Sequence, residues 1–509
     1  MSKWILIILA AGMIVYFNSL FNGFVWDDEE QIVNNPIIRS VGNIGQAFGA
    51  GTFYSGGAGL AKGFYRPVVT VYYMLVYSVF KLHAWGYHLA QIAIHLMSAV
   101  LIYKLLARWM EEKWAGWGGL LFAVHPGISK TVVYAASAGD ALYTLFILVS
   151  LWAWGRNWTV GISVWLALLS KESAIAAVPI VLIYGWWFGK KNQRGVGATA
   201  VLIAVGAYLI LRLAAGISIP KLDLAPITQA TLAQRLMTVP AELGNYLRLV
   251  FWPAKLTISQ HWVVENWQDP RFWGWGLIMI GLTGSLLWLG LKYRSKKYWF
   301  GVMWMGLSLG AVLNIYPLDG TIDETWLYFP MIGVIGLILY PITKLGKYCV
   351  YGLIIIVLGL GIRTMARNRD WKNGLILYGR AIKDSPPSYE LENNYGVELF
   401  RIGKLDEARG HFEKSIKLQP RWWFAYNNLG AIYQRGGDLQ TAKSLYEQGL
   451  ERADYYLAYE NLAVVKLKLD KDEETEKFLI EALKKLPANE ILNQALAIVK
   501  YRLKALRAR

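Results

Sequence analysis

Apolar residues run through the first two thirds of the chain in long blocks separated by short polar connections. Crossing the hydrocarbon of a bilayer takes about 20 such residues, with a working range near 17–25. Blocks that reach or approach this length are 4–22, 86–108, 115–133, 138–155, 157–170, 173–189, 195–215, 272–291, 298–316, 326–343 and 348–363. They predict an all-α, polytopic membrane domain of about eleven spans. Two further apolar stretches, 67–82 and 236–257, are taken as interfacial helices, because a crossing at 67–82 alone would carry the later basic loops to the other side. The first block, Trp4 to Phe21, lacks a small-residue cleavage site and runs into Asn22-Gly23-Phe24-Val25-Trp26-Asp27, so it reads as a retained signal anchor.

The basic connections orient these spans. They are Lys104, Arg108 and Lys113; Lys190-Lys191-Asn192-Gln193-Arg194; Lys292-Tyr293-Arg294-Ser295-Lys296-Lys297; and Lys344 with Lys347. Each lies an even number of spans from the next, as one cytoplasmic face requires. The opposite face then receives the first loop, 23–85, followed by His125-Pro126, Lys171-Glu172, 216–271 and the segment from Tyr316 to Glu324. The tail from Arg363 onward falls on that extracytoplasmic side as well.

Past residue 366 the pattern changes to charged and amphipathic, and an internal repeat appears. Gly396 and Gly430 are 34 residues apart, as are Asn394 and Asn428, Gly403 and Gly437, and Ala408 and Ala442. That period is the tetratricopeptide unit of two helices and a turn. Segments 387–420, 421–454 and 455–487 fit it, with Pro420 and Pro487 closing the first and third units and 488–509 as a capping helix. The domain plan is therefore 1–366 in the membrane, 367–386 as a linker and 387–509 as an α-solenoid. Trp422-Trp423-Phe424 serves either helix packing or a peptide-binding rim.

Composition agrees with the membrane reading. Hydrophobic residues make up 55% of the 509 positions and charged residues only 17%, against about 45–50% and roughly 25% in soluble chains. The 24 Trp and 30 Tyr exceed what a core needs and suit bilayer interfaces. The net charge of +17 is accounted for by Lys and Arg in cytoplasmic loops, so no nucleic-acid partner is inferred. The single cysteine, Cys349, excludes an intrachain disulfide.

Candidate chemistry gathers on the extracytoplasmic side. Asp27-Asp28-Glu29-Glu30 follows the first span directly. Such a cluster is either a hydrophilic stop or the source of a base whose pKa is raised by a partly dried surface. Arg66, His125, Asp140, Lys171, Glu172, Arg212, Asp319, Asp323 and Glu324 border or interrupt apolar blocks, where ionisable groups are costly and mark function. Arg66, Lys171, Arg212 and His125 are the candidate phosphate partners. Asp140, Glu172 and Glu324 are the supporting acids. The chain has no Walker loop, HExxH, paired CxxC or Rossmann fingerprint. No cofactor or metal ligand is assigned, and a divalent ion stays open. Gly56-Gly57 and Gly59 read as a mobile stretch of the first loop.

Several blocks resemble one known family. Phe24-Val25-Trp26-Asp27-Asp28 with Ile32-Val33-Asn34-Asn35-Pro36 is similar to the first-loop signature of the transmembrane and tetratricopeptide-repeat (TMTC) proteins. So are Tyr65-Arg66-Pro67, His88 with His95, Phe122-Ala123-Val124-His125-Pro126, Gly139-Asp140 and Leu169-Ser170-Lys171-Glu172. Leu327-Tyr328-Phe329-Pro330 and Arg367-Asn368-Arg369-Asp370-Trp371 match the last blocks before the repeats. The sequence departs from the pattern at Thr325, where arginine commonly follows the glutamate, and at Gln260-His261, where an acidic–aromatic pair is common.

That family lies in the GT-C glycosyltransferase superfamily and is related to protein O-mannosyltransferases. The resemblance implies a polyprenyl-phosphate sugar donor, typically carrying mannose, and a Ser/Thr hydroxyl acceptor on a polypeptide that the repeats dock. It also implies that Asp27 is the base, with Asp28 alongside. A glycan or lipid acceptor, or a non-catalytic scaffold anchored in the bilayer, are the rival readings.

Overall fold

The computed structural model describes residues 2–49, 51–52, 63–217, 224–344, 349–469, 472–487 and 489–507. Gly56, Gly57, Gly59 and Lys347 lie outside them. Contacts divide the chain into two compact units, one ending at Pro386 and the other continuing from Pro387. Apart from a two-residue antiparallel ladder, the described regular structure is helical.

In the first unit, six stretches are long and apolar enough to cross a membrane: Lys3–Phe21, Ala84–Leu106, Ala135–Trp152, Lys191–Ala214, Pro270–Tyr293 and Cys349–Trp371. Pro67–Phe80, Asn157–Ser170, Glu172–Phe188 and Pro330–Ile342 are shorter apolar helices. The chain is a multi-pass membrane protein. Leu277, Ile280 and Leu291 of Pro270–Tyr293 stand outward, which water would penalise and lipid does not. Helices approach closely where side chains are small. A Cβ on Gly116 would lie 2.0 Å from the Trp4 ring, and one on Gly119 would lie 2.9 Å from the Ala99 carbonyl oxygen.

The block at 115–133 is not one helix. Helix Glu112–Val124 ends before Pro126, and a 3-10 turn Pro126–Ile128 and a four-residue helix Lys130–Val133 follow. Proline has no N–H to continue the ladder and pushes the preceding residue into extended backbone. His125 adopts that conformation, with φ −77° and ψ 123°. Both stretches expected to lie at the interface are helical, as Pro67–Phe80 and Leu232–Phe251. The expected linker at 367–386 holds a 3-10 turn, Arg369–Trp371, and a helix, Gly374–Asp384, whose N-cap is the Asn373 side chain.

A small ladder, β1 (Ser259–Gln260) with β2 (Ile322–Asp323), ties two loops that the sequence reading left irregular. Asn314, at φ +48°, braces it by donating Nδ2 to the Thr321 carbonyl at 3.1 Å and to Glu242 Oε1 at 2.7 Å.

The second unit stacks helix pairs Tyr389–Arg401 with Leu405–Leu418, Trp423–Arg435 with Leu439–Arg452, and Tyr456–Leu469 with Asp472–Lys485, followed by Glu490–Arg507. Gly403 and Gly437 turn each of the first two pairs at φ +80° and +86°. Gly396 and Gly430 admit a ring from the second helix of the pair: a Cβ would sit 2.6 Å from Phe412 and 2.7 Å from Tyr446, respectively. Trp422 packs on Tyr389 of the preceding repeat and Phe424 on Tyr455 of the next, at ring separations of 5.0 and 4.8 Å. These rings work as packing between repeats.

Gly430→Ala should therefore destabilise the second repeat by about 1–3 kcal/mol through overpacking. Gly410→Ala, which meets nothing within 4 Å, should be neutral or slightly stabilising. Limited proteolysis followed by mass spectrometry checks this. Early cleavage within 421–454 is expected only for the Gly430 variant, and equal resistance in both would contradict the packing account.

Candidate active site

The first loop leaves the membrane through a strained turn. Trp26 is held at φ +58°, a conformation that bulky residues adopt only when their surroundings enforce it. Asp28 supplies that enforcement. It is fully buried, accepting from Val25 N at 3.0 Å through Oδ2 and from Ala136 N at 2.7 Å through Oδ1. Burial pushes its carboxyl up to about 8, opposed by those two donors and reinforced by the Asp27 and Glu29 charges. Sequence reading paired Asp27 and Asp28 as catalytic. The structure separates them, because the Asp28 oxygens are committed to main-chain N–H groups, whereas Asp27 is only half-buried.

Asp27 rests against an aromatic column. Its backbone N–H donates to Tyr134 Oη at 3.2 Å. The Tyr134 ring lies between Trp26 and Trp371, with centroids 5.5 and 5.3 Å away and planes within 30°. One helical turn before Tyr134, Lys130 Nζ donates to Asp323 Oδ2 at 2.5 Å and to the Ile258 carbonyl at 3.0 Å. Burial works against the Asp323 charge, yet Lys130 and the Thr325 donors outweigh it and hold this carboxyl below its ordinary value.

Two further ion pairs complete the cluster. Lys171 Nζ meets Asp140 Oδ2 at 2.6 Å. Arg66 Nε meets Glu172 Oε2 at 2.9 Å, while the other oxygen of Glu172 accepts from Tyr65 N at 2.7 Å and lies 3.8 Å from Arg212 Nη1. Among the described residues, the Arg66 Nη groups carry no hydrogen bond. Asp140 is within electrostatic reach of Arg66 and Asp323, and Asp319 is within reach of Arg66. These side chains come from six separate segments and form one charged patch.

Glu324 lies deeper, enclosed and paired with Arg367 Nη2 at 3.2 Å; Arg367 also meets Asp370 at 3.3 Å. His125 is occupied otherwise. Its Nδ1 accepts from Gly127 N at 3.1 Å and its Nε2 lies 3.0 Å from the Val250 carbonyl, which fixes a neutral ring with the proton on Nε2. Its work is to cap the break after Glu112–Val124, not to bind phosphate. Among the described residues, no three His, Cys, Asp or Glu side chains form a metal-holding group. Sequence reading missed Lys130 and Tyr134, which it absorbed into or beside a span. A lone lysine inside an apolar block was the available signal.

Comparison with known proteins follows this division of the chain. A tetratricopeptide-repeat family model matches residues 425–453. A protein O-mannosyl-transferase of Caenorhabditis elegans is 26% identical across 82% of this chain and 63% of its own length. The protein O-mannosyl-transferase TMTC3 of Homo sapiens is 24% identical across 87% of this chain and 54% of its own length. TMTC1 of Homo sapiens is 22% identical across 84% and 56%. The chain thus spans between about half and two thirds of these curated relatives. Among solved structures, ArnT from Cupriavidus metallidurans bound to undecaprenyl phosphate is similar over 87% of this chain and 80% of its own, at 13% identity and a TM-score of 0.43. Ordered blocks through the membrane unit, together with the repeats that follow, make this chain a distant homologue of the TMTC protein O-mannosyl-transferases.

Proposed function

We propose that the protein is a membrane glycosyltransferase that moves a sugar, mannose foremost, from a polyprenyl-phosphate donor to hydroxyl groups of a polypeptide. The observation that carries this reading is the charged patch of Arg66, Lys171 and Arg212 with their carboxylate partners, which connects through Asp140, Asp323 and Lys130 to Tyr134, the residue that meets the half-buried Asp27.

The Asp27 carboxylate accepts the acceptor O–H proton as the oxygen attacks the anomeric carbon. The bond from that carbon to the donor phosphate breaks, and the lipid phosphate departs with the bonding electrons. Attack opposite the leaving group inverts the anomeric centre. Arg66, Lys171 and Arg212 stabilise the departing anion, so no separate proton donor is needed. The Arg66 Nη groups, which carry no hydrogen bond to the described residues, are ready to take phosphate oxygens in a fork. Glu172 holds Arg66 and Arg212, and Asp140 holds Lys171, while Glu324 holds Arg367. Asp28 shapes the turn that presents Asp27.

The basic connections support about eleven crossings, counting the short apolar helices, with the site facing the extracytoplasmic side. The repeats, by the same loop parity, lie on that side and take the polypeptide acceptor.

Asp27→Asn should lower sugar transfer by about 10²–10⁴-fold with an unchanged melting temperature in detergent. Donor consumption and acceptor mass read the outcome, and near-wild-type transfer would end the assignment of Asp27. A second expectation concerns pH. The folded Asp28 carboxyl keeps its proton up to about 8, while an unfolded one ionises near 4. Its contribution to stability is therefore full below about 4 and fades as pH rises through about 8. Asp28→Asn should lower the melting temperature at pH 6, because an amide nitrogen cannot accept from an N–H. It should also flatten the fall in melting temperature between pH 6 and 9; a slope identical to wild type would contradict this role.

A further inference from the structure

Nothing in the mechanism above uses Lys130 or Tyr134, yet both are buried beside Asp27. A lysine only 1% exposed loses its hydration, a cost that only well-placed partners offset. Lys130 finds them on three different segments. Its ammonium donates to Asp323 on β2 and to the carbonyl of Ile258, which precedes β1. It also lies 4.9 Å from the centre of the Trp26 ring and 5.9 Å from that of Tyr134. One turn of helix separates Lys130 from Tyr134, whose backbone N–H donates to the Lys130 carbonyl at 3.0 Å, so the two side chains share a face.

Tyr134 completes the link. Its hydroxyl accepts the Asp27 N–H, which brings the phenol within electrostatic reach of the Asp27 carboxyl. Its ring is clamped between Trp26, the residue just before Asp27, and Trp371. The clamp leaves the phenol no freedom to follow a wandering carboxylate. Motion of Asp27 is therefore opposed by the column, and motion of the column is opposed by Lys130.

We infer that Lys130 and Tyr134 are positioning residues for Asp27: the phenol donates to the carboxylate and orients it, and the lysine fixes the column by binding Asp323 and Ile258. The inference rests on the reading of Asp27 as the base. Other charged or titratable groups facing this carboxylate are Asp28 and Glu29 on its own loop, Asp323 beyond Lys130, and Tyr378, which faces Tyr134 from helix Gly374–Asp384. Ionised carboxylates disfavour the charged form of Asp27, Asp28 joining them only above about 8, where it loses its proton; the phenol and the ammonium favour it.

The test follows protonation of Asp27 directly. A hydrophobic carbodiimide modifies protonated carboxyls, and fragment-ion mass spectrometry that separates Asp27 from the adjacent Asp28 reads modification at Asp27 across pH on the full-length protein in detergent. Tyr134→Phe should raise the half-modification pH by about one unit. Lys130→Met combined with Asp323→Asn, which removes the ion pair without stranding a buried charge, should raise it by a similar amount. Lys130→Arg keeps the charge and should restore the wild-type midpoint. An unchanged midpoint in Tyr134→Phe, or an arginine variant that behaves like the double variant, would overturn the inference. With a polyprenyl-phosphate mannose donor, the acid limb of kcat/KM should move in the same direction, and kcat should fall more than KM rises. A wild-type protein that turns over no such donor would sink the catalytic reading, while the modification midpoints still decide the positioning claim.

Discussion

A carboxyl group taken out of water must find partners, and Asp28 finds two backbone donors on segments far apart in sequence, Val25 just before it and Ala136 more than a hundred residues on. The arrangement of the site depends on this junction. It holds Trp26 in a left-handed conformation, sets the Trp26 ring against Tyr134, and leaves the neighbouring Asp27 half-buried. A side chain that bonds both sides of a junction cannot also exchange protons with a substrate at no cost to the fold. On the proposed reading, two adjacent aspartates divide the labour of shape and chemistry.

The charged patch forms where apolar helices are interrupted. Breaks at Arg66-Pro67, His125-Pro126, Lys171-Glu172 and Asp323-Glu324 free backbone groups that a bilayer cannot satisfy. Side chains satisfy some of them: Glu172 accepts from Tyr65 N, His125 accepts from Gly127 N, and Lys130 donates to the Ile258 carbonyl. Cations and carboxylates therefore gather at the breaks in pairs. Pairing keeps the patch from being prohibitively charged, and under the proposed function a donor phosphate would meet cations already oriented by Glu172 and Asp140.

Local patterns were legible in the sequence, and long-range ones were not. The 34-residue period gave away the repeats, and the structure adds the rings, Phe412 and Tyr446, that make Gly396 and Gly430 necessary. Apolar blocks located the long helices, and the ionisable residues at their breaks located the patch. Three things escaped. Apolar content alone concealed the break at Pro126, so Lys130 passed as part of a span. The division between Asp27 and Asp28 depends on Ala136, more than a hundred residues away, and adjacency in sequence carries no trace of it. The pairing of Ser259–Gln260 with Ile322–Asp323 is two residues long, too short for alternation to register. His125 was counted among the phosphate partners as an ionisable residue interrupting an apolar block, but its place before Pro126 calls for a cap.

The central claim, that one patch gathers a donor phosphate beside the Asp27 carboxylate, is tested most directly by a structure of the protein with a polyprenyl-phosphate lipid. The account places the phosphate oxygens within hydrogen-bonding distance of Arg66 and Lys171, on the side of the patch that Asp27 faces. A phosphate seated reproducibly at another part of the membrane unit, with this patch unoccupied, would contradict it.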